Sequence, residues 1–194
     1  MAKKNTSNTR SRIVSAAWKL FYEQGYDDTT VDEIIAESGT SKGSFYHHFT
    51  SKDSLLGSLS YIFDEKYKEL EENLSDNQTC FEKLMYLNHE MFTMIENKVD
   101  IHLLSGLLST QLTTKGEKNL LDYTRYYYRL IRRIVEDGQS RGELKADVSV
   151  SEIVKLYSMC ERALMYDWCI CGGEYSLSNY AKSVLPMLFD DIMV

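Results

Sequence analysis

Proline is nearly missing from this chain. There is one, Pro186, in 194 residues, and glycine is sparse at ten. Both residues interrupt helices, so long stretches without them favour an all-α protein. No apolar run approaches the roughly 18–20 residues that a membrane-spanning helix needs. The first residues, MAKKNTSNTRSR, lack the apolar core of a secretory signal. The expectation is a cytoplasmic protein, with no membrane partner, whose four cysteines stay reduced. Histidine is scarce too: two of the four, His47 and His48, fall in one short motif, and His89, Glu90 and His102 are thin material for zinc. No glycine-rich phosphate loop, nucleophile elbow or zinc-protease motif occurs. These absences argue against an enzyme and against a bound metal or cofactor. Cys169 and Cys171 flank Ile170 and would point to different sides of a helix, which suits packing better than a thiol sensor. Cys80 and Cys160 read as small buried residues.

Positive charge is in deficit overall, with a net charge of −7, but it is unevenly spread. Residues 1–52 hold seven Lys/Arg against six Asp/Glu, a balance of +1, which leaves −8 for the remainder. Lys3, Lys4, Arg10 and Arg12 come before any acid. A basic arm on a near-neutral head, joined to an acidic body, suits a protein that touches nucleic acid at one end.

The stretch Thr29–Leu56 is the most informative. Thr30 and Glu33 have capping-box spacing, and Val31, Ile34 and Ile35 then form one apolar face. Gly39 stands where a helix end needs a left-handed residue, and Ser41 can cap the next helix. Phe45 and Phe49 bury that second helix. Its other side carries Lys42, Ser44, Tyr46, His47 and His48, with Gly43 allowing close approach of a partner's backbone. Two short helices around a glycine turn read as a helix-turn-helix, or as an ordinary helical hairpin with a solvated face. The exposed residue types favour the first: Lys42 and Lys52 suit phosphates, and Ser44, Tyr46 and His47 can donate to phosphates or base edges.

This segment resembles the DNA-binding domain of the tetracycline-repressor (TetR) family. The matching residues are Gly25-Tyr26, Thr29-Thr30-Val31, Ile34-Ile35-Ala36, Gly39, the run Ser41 to Phe49, and Ser51-Lys52-Asp53-Ser54-Leu55-Leu56. Thr40 departs from the aliphatic residue usual after the turn glycine, which would loosen the turn packing slightly. The motif covers roughly the first quarter of the chain. The resemblance implies a homodimeric regulator that binds a double-stranded DNA operator through Thr30, Ser41, Lys42, Gly43, Ser44, Tyr46, His47 and Lys52. It also implies a pocket for a small-molecule effector in the remaining helices.

The rest reads as helices in series, about nine in all. Residues 1–8 read as a flexible arm. A first helix follows from about Thr9 to Gln24, with Trp18 and Tyr22 as packing residues. After the two short helices, Ser51 caps a long one running to about Leu74. Further helices are expected over about 80–97, 99–112, 117–137, 150–170 and 176–193, with a break over Thr113–Gly116 and with Pro186 kinking the last or shifting its start. The expected organisation is a DNA-binding domain over 1–50, a connecting helix over 51–74, and a ligand-binding and dimerisation domain over 75–194.

Fourteen tyrosines are many for this length, and a buried Tyr needs a partner for its hydroxyl. Tyr86, Glu90, Tyr123, Tyr127, Glu161 and Met165 are the expected pocket residues, and the two acids favour a cationic or hydrogen-bonding aromatic ligand. Leu156, Leu164, Leu177, Val184, Leu188 and Phe189 are too many apolar residues for one small body to cover, which points to a dimer through the last two helices. The long fourth helix would act as a rigid rod from head to body. The expected function is a repressor released from its operator by a ligand. The other reading is an all-α small-molecule-binding or scaffold protein whose helix-turn-helix no longer serves DNA.

Overall fold

The computed structural model describes residues 2–113 and 118–194, with side chains from Thr9 onward. It contains the helices α1 (Ala2–Gln24), α2 (Val31–Ser38), α3 (Lys42–His48), α4 (Asp53–Leu56), α5 (Leu59–Glu71), α6 (Cys80–Lys98) and α7 (Ile101–Thr113). A short 3-10 turn, η1 (Asn119–Leu121), precedes α8 (Tyr126–Ser140), α9 (Val150–Ile170) and α10 (Leu177–Phe189). The fold is all-α. Among the described residues the β structure is confined to an isolated bridge between Leu144 and Met193.

The chain forms two compact units. The first holds the residues up to Tyr61 together with the segment that begins at His102. Here α1 lies against α2 and α3. Ile13, Ala17 and Phe21 of α1 are buried, as are Ile34, Phe45 and Phe49. Trp18 packs edge-on to Phe21 and donates its indole N–H to Ser58 Oγ at 2.8 Å. Tyr22, expected to pack, is 81% exposed, because it falls on the outer side of α1. The expected flexible arm is helical backbone from Ala2, while the side chains of Lys3 and Lys4 lie outside the described residues. The other two basic residues of that arm have internal roles. Arg12 donates to the carbonyls of Ser38 and Gly39 at 2.6 and 3.0 Å, placing a cation at the negative end of α2. The Arg10 guanidinium sits over the rings of Phe49 and Tyr61.

The expected continuous helix from Ser51 to Leu74 is instead two, interrupted at Gly57 and Ser58. Ser58 Oγ donates to the Leu55 carbonyl at 2.5 Å and Ser60 Oγ to the Gly57 carbonyl at 2.6 Å. Hydroxyls that bond back to the preceding turn, beside a glycine, are a common origin of helix bends.

The second unit holds Ile62–Ile101 and the described residues from Lys118 onward. Helices α6, α8, α9 and α10 pack pairwise around Leu84, Leu87, Ile131, Val135, Val154, Tyr157, Ala181 and Leu185. The helix expected over 117–137 starts later, at Tyr126. Asp122 accepts from the amide and hydroxyl of Thr124, an Asx turn that holds the chain out of helix before α8. The break expected over Thr113–Gly116 lies mostly outside the described residues. Pro186 sits inside α10 without shifting its start, which Ser176 caps through the amide of Asn179. The helix ends at Phe189 rather than near Met193. The chain then pairs with the 143–145 segment, Lys145 N donating to Ile192 O and Val194 N to Glu143 O.

Candidate functional sites

In the first unit, local chemistry sets the two short helices. Thr30 Oγ1 accepts from the Glu33 amide while Glu33 accepts from the Thr30 amide, closing the capping box. These bonds hold the Glu33 carboxyl below its usual range. Gly39 takes φ 60°, and its amide and that of Thr40 return to the carbonyls of Ala36 and Ile35. A side chain is disfavoured there by the left-handed φ, and a Cβ would also push against Arg12 Nη2 at 2.9 Å. The unusual Thr40 is accommodated through a 2.7 Å bond between its hydroxyl and that of Ser38. Ser41 Oγ accepts from the Ser44 amide and starts α3.

On α3 the phenyl rings of Phe45 and Phe49 turn inward, while Lys42, Gly43, Tyr46 and His47 are exposed and Ser44 is half-exposed. Lys42 makes a 3.1 Å ion pair with Asp32, with both side chains largely in solvent. A pair so exposed is screened by water and contributes little, so a phosphate can replace the carboxylate at little cost. Lys52 departs from the expectation of a phosphate contact. Its ammonium donates to the carbonyls of Tyr26, Asp27 and Thr29 at 2.7, 3.3 and 2.9 Å and lies over the Tyr26 ring. All three of its hydrogens are thereby engaged in bracing the loop before α2.

The second unit holds a partly open cavity of about 40 Å³. Of the six expected pocket residues, Tyr127, Glu161 and Met165 line it. Tyr86, Glu90 and Tyr123 do not. The inward stripe of α6 runs through Leu84, Leu87, Asn88, Met91, Phe92 and Ile95. Tyr86 and Glu90 are each two residues from Asn88, about 200° around the helix. Tyr123 lies before α8, 51% exposed, with its ring against Tyr128.

Glu161 is 4% exposed. Its Oε1 accepts from Asn88 Nδ2 at 2.8 Å and its Oε2 from the Tyr127 hydroxyl at 2.5 Å. Burial raises its pKa, and the hydrogen bonds and the nearby Arg162 offset this only in part. Burial, reinforced by the Glu161 charge, likewise pushes the phenols of Tyr67, Tyr127 and Tyr157 well up. Arg125 is held by Asp64 in a two-point ion pair, Nε to Oδ2 at 3.1 Å and Nη2 to Oδ1 at 2.9 Å. Asp64 also accepts from the Tyr127 amide and so caps α8. Arg162 Nη1 donates to the Tyr128 hydroxyl at 3.0 Å. Arg125 and Arg162, which line the cavity, and Asn88, which bonds Glu161 from behind it, are absent from the expected pocket residues. Asn88 could have been found as a polar residue at a core position of the α6 stripe; the arginines carry no such signal.

Comparison with known proteins places both units in one context. Residues 13–59 match the family model described as bacterial regulatory proteins, tetR family. Residues 62–191 match the model for the C-terminal region of YsiA-like protein. The fatty acid metabolism regulator protein of Bacillus subtilis is 23% identical over 185 residues, covering 93% of this chain and 94% of that protein. The HTH-type transcriptional repressor KstR2 of Rhodococcus jostii is 26% identical over 197 residues, covering 96% and 92%. Among solved structures, Thermus thermophilus FadR in complex with lauroyl-CoA superposes with a TM-score of 0.79 at 20% identity, covering 95% of each chain. Bacillus subtilis FadR with stearoyl-CoA gives 0.70 at 22%, covering 93% of this chain and 98% of that one.

Proposed function

The chain belongs to the tetR family of bacterial regulatory proteins, and from that premise we propose that it is a cytoplasmic repressor whose grip on DNA is released when a small molecule occupies the second unit. The observation that carries the DNA reading is α3, which buries Phe45 and Phe49 and leaves Lys42, Tyr46 and His47 in solvent. In this reading α3 enters the major groove, Tyr46, His47 and Ser44 meet bases or phosphates, and Lys42 exchanges Asp32 for a phosphate. Gly43 lets the backbone come close, while Thr30 and Ser41 act mainly by holding the two helix starts. Lys52 contributes by bracing the head.

The cavity around Glu161 is the proposed effector site. An effector acts by binding the DNA-incompetent state better than the competent one, and a coupling of about 1–3 kcal/mol, or roughly 5–150-fold in operator affinity, is usual. Acyl-CoA esters, bound by two of the structural relatives, are the natural first probes.

The second copy of a homodimer is the proposed occupant of an apolar stripe on α9 and α10. Met159, Ile170, Tyr180 and Met187 are exposed on these helices, with Ala163 between them. Of the residues expected at the interface, Leu164, Leu177 and Phe189 are instead spent inside the monomer, while Leu156, Val184 and Leu188 are half-exposed.

The test is a gel shift with the DNA flanking the protein's own gene. Wild-type protein should bind it specifically, and Tyr46→Ala with His47→Ala should reduce affinity by ten-fold or more, an expected loss of at least about 1.4 kcal/mol. Unchanged affinity in that double variant would remove α3 as the reading helix.

A further inference from the structure

The walls and floor of the cavity differ in chemistry. Its walls are rings and aliphatic groups, among them Phe63, Tyr67, Phe92, Tyr128 and Met165. Its floor is Glu161, with Asn88 behind it. The hydrogen-bond account there is one-sided. In its ionised form Glu161 brings two acceptor oxygens with room for about four bonds, and Asn88 brings a carbonyl oxygen. Against them stand Asn88 Nδ2 and the Tyr127 hydroxyl, with the Tyr157 hydroxyl also close to Glu161. The Tyr157 hydroxyl donates to the Leu84 carbonyl at 2.9 Å. Asn88 Oδ1 is buried with no hydrogen-bond partner among the described residues. Turning the Asn88 amide over would not help, since it would set a carbonyl against the carboxyl and strand an N–H instead. What the floor lacks is a donor.

The charges nearby narrow the class. Asp64 already neutralises Arg125, so Arg125 is a poor anchor for an anionic headgroup, and a ligand carboxylate would approach Glu161 itself. A cation would share the cavity with both Arg125 and Arg162. An uncharged donor avoids both costs. Five of the lining residues are aromatic, which suits a flat ring stacked against them.

Building on the effector reading above, we infer that the ligand is an uncharged ring compound bearing a hydroxyl, of phenol or ring-alcohol type, whose hydroxyl donates to Glu161. The ring takes the aromatic walls and the hydroxyl supplies the missing donor. An alkyl chain end directed at the same floor would leave the open acceptor positions of Glu161 without a donor.

The experiment compares para-cresol, toluene and lauroyl-CoA by titration calorimetry on the full chain, alongside operator release by gel shift. Para-cresol should bind about ten- to a hundred-fold tighter than toluene, the factor expected for pairing a buried acceptor. Glu161→Leu should erase that preference, and Glu161→Gln, which keeps one carbonyl acceptor, should leave it intermediate. If Glu161→Leu does not fold, the wild-type ratio and Glu161→Gln decide. Equal binding of para-cresol and toluene, no binding of either, or binding of lauroyl-CoA alone would overturn the inference. The two readings fail separately. Operator release by lauroyl-CoA without cresol binding keeps the repressor and loses the ligand class. Cresol binding that leaves the operator occupied keeps the site and loses release as its consequence.

Discussion

At Lys52 an ammonium on the head donates to three carbonyls of one loop, those of Tyr26, Asp27 and Thr29. Its sequence context suggests a phosphate contact, because a lysine after the second helix of a helix-turn-helix is read by charge alone. The loop geometry that claims its hydrogens is a long-range feature and leaves no local trace. Lys52→Ala should therefore destabilise the head, by about 1–3 kcal/mol as the carbonyls lose a charged donor. Thermal denaturation will show this; a variant that melts like wild type but has a flatter salt dependence of DNA binding would return Lys52 to the phosphates. The helix caps behave in the opposite way and are fully legible. Thr30–Glu33, Thr79–Glu82 and Ser149–Glu152 each pair residues three apart, and each closes as a capping box. In all three, bonds from the cap residue lower the Glu pKa below its usual 4.5. A carboxyl with a depressed folded pKa stabilises fully above its unfolded value, and the contribution is lost as pH falls through the folded one. Helix stability should accordingly drop on acidification below about pH 4.5, and Glu82→Gln with Glu152→Gln should blunt that drop in circular dichroism melts.

At the scale of elements, several helix starts are capped from elsewhere in the fold. Asp64 of α5 accepts from the Tyr127 amide at the start of α8, Glu143 from the Cys80 amide at α6, and Glu96 of α6 from the Ser178 amide at α10. Periodicity found these helices, but their carboxylate caps are 63 to 82 residues away in sequence and could not be read from it. The same limit explains the cavity. The α6 stripe was legible as apolar, yet which polar residue joined it depended on the crossing with α9, and Asn88 rather than Glu90 faces Glu161. That crossing geometry also makes a glycine indispensable. At Gly138 of α8 a Cβ would stand 2.5 Å from Cys80 Cβ and 2.9 Å from its Sγ, so α6 and α8 touch there nearly backbone to backbone. Gly138→Ala would raise helix propensity by about 1 kcal/mol, but the overlap forces the helices apart, at a typical cost of about 1–3 kcal/mol for overpacking. The net expectation is a lower melting temperature. Cys80→Gly combined with Gly138→Ala should recover part of the loss, and an unchanged melt in Gly138→Ala alone would show that the crossing is looser than described.

At the scale of the whole molecule, the remaining question is what the chain needs besides itself. Its charge is divided, near neutral to Lys52 and strongly acidic after it, so DNA affinity must come from a small surface around α3. One such surface gives modest binding, and two held at a fixed spacing give far more, because the second engagement is intramolecular. The exposed stripe on α9 and α10 supplies the means of holding them. Ile170 is 79% and Met187 71% exposed, with Met159 and Tyr180 near one half, an apolar display that costs an isolated monomer solubility and gains it nothing. A two-fold pairing of these helices buries the stripe on both copies at once. The sequence signalled too much apolar surface on the last two helices but named several of the wrong residues, since Leu164, Leu177 and Phe189 face the monomer core. Ile170→Glu with Met187→Glu tests the pairing cleanly, because both positions face solvent in the monomer and should change its fold stability by no more than about 0.5 kcal/mol. Sedimentation should show wild type as a dimer and the double variant as a folded monomer at micromolar concentration. Operator affinity should then fall by about 10²–10⁴-fold, the avidity lost with the second head, while weak binding to unrelated DNA persists through the intact α3. A variant that stays dimeric would move the interface elsewhere on the molecule. A monomer that still holds its operator at wild-type affinity would mean that each head reads its site alone.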